Sequence, residues 1–550
     1  MVDLSELITT LTAIFIAAAI MLYISKRLSQ PAIPGYIIAG IIIGAFISHK
    51  DLYGLAQLGI AFLVFVFGLK FDTEKLREVG KRVVAVNSVY ISFIGFISFV
   101  FAYFIGLGIL QSAYFSVIST LSSSLVGLDL VSDEIDKNLT HGRLAEAVHL
   151  NQDIFAVLAI LVLTSPAFTP YSVLRSLGTG STIIILGFVI RKFFFGWVGR
   201  QSEGSPELLM FAALSSLAGF MYLASYLEVS PIIGSFAAGI AVARFPHNIE
   251  VLETIGPIKD FFSAIFFVVL GTLVSVPSIE VIALSLSIIY LTVFVKPLLL
   301  ASSFLELGYD SRTAFMSSVT LDQVSEFSLI IAIQGFLAGV LIEPLFQAAV
   351  LAATITMISS SYTKLYEQRL YSIIKGEWFF TTERVHIPDK NFGDEKNDHI
   401  VMVGYDVLGK EIAEFFEEGE EFVVIENDPE KVSELEDENI PYVYGDVMNR
   451  ETWEYAKFHT ASLIVSTAPF KEVSEEILEL ETPADKILRS GKLEEAERFI
   501  EEGAMYVIVP EIITSEVLKE HILRETVDKK YLKELRRKNL LEVRRYLERE

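Results

Sequence analysis

The stretch HLNQDIFAVLAILVL, His149 to Leu163, sets one carboxylate inside a long apolar run. Read as a single helix over 143–164 at about 1.5 Å per residue, it has the length of a membrane crossing. Asp153 then lies close to the bilayer midplane, beyond the reach of a short side chain to water. An unpaired charge at that depth costs several kcal/mol or changes its protonation state instead. Such a group either lines a cavity or ion path, the chemistry a proton-coupled carrier needs, or is bonded to neighbouring helices.

Working outward, the chain joins two regimes near residue 370. Its mean hydropathy of +0.50 over 550 residues is too high for a soluble protein. About 13 apolar stretches of spanning length precede that point, and from Asn397 onward no apolar run exceeds the length of a strand. The expected spans are 7–25, 32–47, 53–69, 83–109, 112–131, 143–164, 173–194, 206–227, 230–244, 258–276, 279–303, 312–335 and 341–363. The first lacks a basic leader and a small-residue cleavage site, so it reads as a retained helix. With no cysteine, neither a disulfide framework nor a thiolate metal site is available.

Basic residues mark alternate loops. Lys26 and Arg27 follow the first span; Lys75, Arg77, Lys81 and Arg82 the third; Lys137 and Arg143 the fifth; Arg191, Lys192 and Arg200 the seventh. The positive-inside rule then puts the N-terminus outside, and an odd span count puts the C-terminal domain in the cytoplasm of a cell-membrane protein.

An internal repeat is visible. IPGYIIAGI (Ile33–Ile41) aligns with IIGSFAAGI (Ile232–Ile240), setting Gly40 opposite Gly239; one span later Gly68 falls opposite Gly271. Both pairs lie seven spans apart, and an odd separation inverts the second copy, as in secondary transporters. Glycine and alanine spacing for close helix packing gives the same pattern.

The same relation links the fifth and twelfth spans, which are unusually polar at their centres. Thr120, Ser122, Ser123 and Ser124 cluster in one; Thr320, Asp322, Gln323, Ser325 and Glu326 in the other. Polar backbone at that depth is tolerated where a helix is broken, so two discontinuous helices crossing beside Asp153 are expected. For the serines, interhelical hydrogen bonding and ion contact are both open. Lys296 either snorkels to the interface or partners an intramembrane carboxylate, Asp153 first and Glu326 second. His149, one turn before Asp153, is read as a structural histidine bonded near the helix entrance, with proton relay as the alternative. Gln152 and Asn151 are neutral, so one titrating carboxylate is expected.

These residues resemble the monovalent cation-proton antiporter-2 family, and within it the Kef-type potassium/proton members. The likeness is carried by QPAIPGYIIAGIIIG (Gln30–Gly44), GLKFD (Gly68–Asp72), the serine-rich fifth span, Gln152-Asp153, GPIKDFFSAIFFVVLGTLV (Gly256–Val274) and QVSEF (Gln323–Phe327), over nearly all of 1–365. It implies that Asp153 binds a monovalent cation or a proton in competition, that Gln152 belongs to potassium-type members, and that the protein is a homodimer. Lys70 stands where relatives often carry Glu, and QVSEF replaces a GGEF-like string.

After a mixed linker, 366–397, strands alternate with amphipathic helices over 398–526: HIVMVGYDVLGKEIAEFF opens with a short apolar strand, a glycine turn and a helix, and EFVVIEND, PYVYGD, ASLIVSTA and AMYVIVPE follow. That pattern argues for a parallel Rossmann-type sheet. The turn Gly404-Tyr405-Asp406-Val407-Leu408-Gly409, with Glu426 at the next strand end and Asp446 beyond, forms the candidate nucleotide site. The segment resembles the nucleotide-binding domain that regulates potassium transport. Asp406 replaces the second glycine of the motif, where a carboxylate repels pyrophosphate, leaving a mononucleotide such as AMP, NAD(H) or no ligand open. The terminal helix, Asp528 to Glu550 (527–550 with its junction), is net basic and is read as packing on the acidic domain or as solvated.

The tail from 399 carries 37 acidic and 20 basic residues, most of the formal net charge of −24, which argues against a nucleic-acid partner. The expected fold is thus a polytopic helical membrane domain with inverted repeats and two crossed discontinuous helices, plus a cytoplasmic α/β domain. The expected function is K+/H+ antiport at Asp153, regulated by an adenine nucleotide, with Na+/H+ antiport as the alternative. A nucleotide-gated channel is disfavoured because no TVGYG-like filter loop occurs. A dehydrogenase is disfavoured because no substrate domain or catalytic His/Lys set follows the Rossmann segment.

Overall fold

The computed structural model describes residues 4–44, 52–71, 81–136, 140–163, 169–193, 206–243, 247–374, 398–417, 421–445, 447–448, 450–510, 512–513 and 515. The chain forms two compact units, Met1–Thr382 and Glu383–Glu550. Asp446 and the expected terminal helix lie outside the described residues.

The first unit opens with α1 (Leu4–Arg27), α2 (Ala32–Gly44), α3 (Leu52–Lys70) and α4 (Lys81–Phe104). The fifth span is split into α5 (Ile109–Thr120) and α6 (Ser124–Leu130), followed by the short α7 (Ser132–Asp136), then α8 (Thr140–Leu163) and α9 (Pro170–Phe193). The second copy follows as α10 (Pro206–Tyr226), α11 (Pro231–Val242), α12 (His247–Thr272) and α13 (Ile279–Tyr290). A π-helical segment, Leu291–Val295, joins α13 to α14 (Lys296–Leu307). The twelfth span is split into α15 (Ser311–Val319) and α16 (Glu326–Leu337), ahead of α17 (Glu343–Leu365) and α18 (Glu367–Ile374). Among the described residues, nine helical stretches are long and apolar enough to cross a membrane. Ile16, Val89, Phe96, Leu174, Phe211 and Phe294 are exposed on them, the surface a lipid tail covers.

Boundaries depart from the sequence reading where helices extend past the apolar run. The tenth span begins at His247 rather than 258, and the eleventh continues to Leu307. The fourth ends at Phe104, where Gly106 turns the chain with φ +96°.

The inverted repeat is written into the packing. A methyl on Gly40 would run into the Val268 carbonyl and lie 2.8 Å from the Gly271 Cα; a methyl on Gly271 would run into the Ile37 carbonyl, 2.9 Å from the Gly40 Cα. The other pair behaves alike: a methyl on Gly68 meets the Phe236 carbonyl and the Gly239 Cα at 3.2 Å, and one on Gly239 meets the Phe65 carbonyl. Thus α2 packs on α12, and α3 on α11. Helices approach this closely only where neither carries a side chain at the crossing.

The second unit holds β1 (His399–Val403), α19 (Val407–Glu417), β2 (Phe422–Glu426), α20 (Pro429–Asp437), β3 (Tyr442–Tyr444) and α21 (Arg450–Tyr455). β4 (Ala461–Ser466), α22 (Lys471–Glu479), β5 (Asp485–Arg489), α23 (Leu493–Glu501) and β6 (Tyr506–Ile508) complete it. All five pairings are parallel, in the order β3-β2-β1-β4-β5-β6. β1 and β2 are buried at every position, as a central parallel sheet covered on both faces requires. Burial pushes the Lys486 ammonium down, and its Nζ donates to the Leu478 and Leu480 carbonyls at 3.0 and 2.9 Å, capping the end of α22.

Candidate functional site

Two helix breaks cross in the first unit, and every strand of the crossing is tied. Between α5 and α6 the backbone leaves the helix at Leu121, Ser122 and Ser123; between α15 and α16 it does so from Thr320 to Ser325. Ser325 N donates to the Leu121 carbonyl at 3.1 Å, joining one break to the other. Ser122 Oγ donates to the Leu321 carbonyl at 2.8 Å, and Gln323 Nε2 to the Ser123 carbonyl at 3.2 Å. Neighbouring helices accept the freed amides: Ser122 N reaches Gln152 Oε1 on α8 at 2.7 Å, and Val324 N reaches Thr356 Oγ1 on α17 at 3.1 Å. Ser123 and Ser325 cap the second halves by accepting from Val126 N and Phe327 N. Buried backbone groups must be paired, so these bonds are the condition for breaking a helix in hydrocarbon.

The crossing gathers charge. Asp153 is 4% exposed and Glu326 1%. Glu326 Oε1 accepts from Ser124 Oγ at 3.0 Å and from Leu125 N at 3.3 Å, at the start of α6. Asp153 faces the same Ser124 hydroxyl and feels the charge of Glu326. Lys296 is fully buried; its Nζ donates to the Gln323 carbonyl at 3.0 Å and has Asp322 as its carboxylate neighbour.

In the second unit the turn after β1 is shaped by two glycines. Gly404 takes φ +92°, and a methyl on Gly409 would run into the Gly404 carbonyl. Asp406 caps α19, its Oδ1 accepting from Gly409 N at 2.9 Å, and its Oδ2 meets Arg489 Nη1 at 3.1 Å. Glu426 is engaged by three amides: Tyr405 N at 2.7 Å, Asn427 N at 2.9 Å and Asp428 N at 2.9 Å. Burial pushes its carboxyl above the ordinary value, opposed by Lys431 and the amide bonds.

Residues 13–365 match the family model described as sodium/hydrogen exchanger, transmembrane, and residues 400–510 match the TrkA-N domain. The chain belongs to the sodium/hydrogen exchanger family. Among curated relatives, the glutathione-regulated potassium-efflux system protein KefC of Salmonella schwarzengrund (strain CVM19633) is 24% identical over 485 residues, 84% of this chain and 76% of the relative. The putative K(+) efflux antiporter KefB of Alkalimonas amylolytica is 22% identical, over 82% and 70% of the two chains. Among solved structures, the sodium proton antiporter MjNhaP1 of Methanocaldococcus jannaschii covers 68% of this chain and all of its own, at 16% identity and a TM-score of 0.48.

In this exchanger the crossing brings together Gln152, Asp153, Ser123, Ser124 and Glu326. The rest of that reading needs revision. Glu326 shares Ser124 with Asp153 and Asp322 lies beside Lys296, so the centre holds three carboxylates where one titrating group was expected. Full burial removes snorkelling for Lys296, and its neighbour is Asp322 rather than Asp153 or Glu326. The cause is local: Pro297 cannot donate to the helical ladder, the preceding turn widens to the π form, and Lys296 N bonds the Leu291 carbonyl five residues back. That proline was the available signal. Thr120 Oγ1 donates to Ser116 O at 2.7 Å within its own helix. Asn151 turns away to Ser88 on α4 at 3.1 Å. His149 is fully buried against Gly127, and among the described residues neither ring nitrogen has a hydrogen-bond partner, contrary to the bonded structural histidine expected.

The order of the sheet is that of dinucleotide-binding folds, with the crevice at the β1/β4 switch point. The residues present do not fit a dinucleotide's pyrophosphate: the Asp406 carboxylate occupies the first-turn amide that a pyrophosphate takes.

Proposed function

We propose that this chain exchanges K+ for H+ across the membrane at Asp153, with its TrkA-N domain as the regulatory unit responding to an adenine nucleotide. One observation carries the reading: a single hydroxyl, Ser124, lies between two buried carboxylates, Asp153 and Glu326. It has one proton to donate, so it can satisfy only one of the two at a time, and the other needs a proton of its own or a cation. Two carboxylates at that depth cannot both be charged unless a cation sits with them. A proton on Asp153 and a cation beside it are therefore alternatives, which is the condition for exchange. Gln152 holds the break open for the ion through Ser122 N, and Ser123, Ser124 and Thr120 offer hydroxyl oxygens along it. The K+ assignment is supported by the names of the relatives. An outside N-terminus, a cytoplasmic TrkA-N domain and a homodimer belong to the same proposal, supported by the alternation of basic loops and by the family likeness.

The test is proton flux from purified protein in liposomes under K+ or Na+ gradients. K+-driven flux lost in Asp153→Asn, with folded protein retained, is expected. Flux with Na+ alone would move the selectivity, and full flux in Asp153→Asn would remove Asp153 from the path.

A further inference from the structure

The turn after β1 ordinarily receives a pyrophosphate on glycine backbone and a helix N-terminus. Asp406 stands at its middle position with no backbone demand for glycine there, since its φ is not positive. Its carboxylate is held on two sides. Oδ1 accepts from Gly409 N at 2.9 Å, and Oδ2 pairs with Arg489 Nη1 at 3.1 Å. The same Arg489 nitrogen donates to the Thr467 carbonyl at 2.8 Å. Arg489 ends β5 and Thr467 follows β4, so the pair bridges the mouth of the crevice beside the β1/β4 switch point.

Resting on the reading that this domain takes an adenine nucleotide, we propose that Asp406 and Arg489 form a built-in plug in the phosphate seat that restricts the ligand to nucleotides with one phosphate. A pyrophosphate runs along the whole glycine turn and must displace the Asp406 carboxylate from Gly409 N while lying against its charge. A single phosphate need not. It reaches the guanidinium from the crevice side, where Arg489 has donors beyond the nitrogen already engaged. Asp406 thus acts as the second anion that the turn was shaped to hold.

The experiment is calorimetric titration of the full-length protein in nanodiscs with AMP, ADP and NADH. Wild type is expected to bind AMP at least about tenfold more tightly than ADP or NADH, roughly 1.4 kcal/mol. Asp406→Asn keeps an oxygen for Gly409 N while removing the charge, and Asp406→Gly restores the glycine; both should bring ADP and NADH to within about threefold of AMP, roughly 0.7 kcal/mol. Arg489→Gln should weaken AMP by about tenfold or more. Wild type binding NADH or ADP as tightly as AMP, or an unchanged preference in Asp406→Asn, would overturn the plug and leave nucleotide binding standing. No binding of any of the three by folded wild type and Asp406→Gly would overturn the nucleotide reading itself, and the plug with it.

Discussion

Lys296 and Asp322 offer the sharpest separation of structure from transport. Both are buried, at 0% and 1% exposure. The two feel each other's charge without an ion-pair contact, so removing one costs less than the about 3–5 kcal/mol of a contacting buried pair, whereas replacing both by apolar side chains of similar size is often neutral or stabilising. Lys296→Met also takes away the donor that Gln323 O accepts from at 3.0 Å, adding about 1 kcal/mol. The single substitution should therefore lose roughly 2–4 kcal/mol, and Lys296→Met with Asp322→Leu should recover all but about 1–2 kcal/mol. Titration of mixed micelles with SDS, followed by helical circular dichroism, reads these differences. A double variant no more stable than the single one would refute the pairing. Exchange in liposomes then reads the role: an active double variant makes Lys296 a structural partner of Asp322, and a stable but inactive one returns it to the ion path.

Two further perturbations test the frame around the site. Gly40→Ala and Gly239→Ala each push a methyl into a backbone carbonyl that cannot yield, so each should lose about 1–3 kcal/mol or more and by similar amounts, read by thermal unfolding in detergent; a loss confined to one would deny the two-fold relation of the crossings. Gln152→Ala leaves the buried Ser122 amide without its acceptor and should cost about 1–3 kcal/mol in the same assay. Unchanged stability of the Ala variant would show that Gln152 does not brace the break.

The elements legible in the sequence were those whose signal is local. Length and hydropathy reveal spans, paired serines and acids inside apolar runs reveal the two breaks, and Gly404 with strand alternation reveals the α/β domain. The residues that were misjudged depend on what faces them. Lys296 is an isolated basic residue in a span, and only the π turn before Pro297 sets it against Asp322 rather than Asp153. Glu426 occupies the expected strand end, and its bonds to three amides are a detail that no spacing encodes. His149 looked like a residue with a bonded partner because buried histidines usually have one; Gly127, distant in sequence, supplies space instead of a bond.

The repeat explains why the frame is symmetric while the chemistry is not. Gly40 meets Gly271 as Gly239 meets Gly68, and the breaks are braced alike, by Gln152 on α8 and by Thr356 on α17. α8 and α17 are the sixth and thirteenth spans, so each copy caps its own broken helix from its own following helix. The next residue breaks the match: Asp153 follows Gln152, but Met357 follows Thr356. Charge on the other side comes instead from the second break itself, through Glu326 and Asp322. A symmetric frame can support two related arrangements of the same helices at similar energy, and an asymmetric charge gives the ion something to prefer between them. The position after the brace, rather than the brace, is therefore where the two copies part, with the proposed exchange site in one of them.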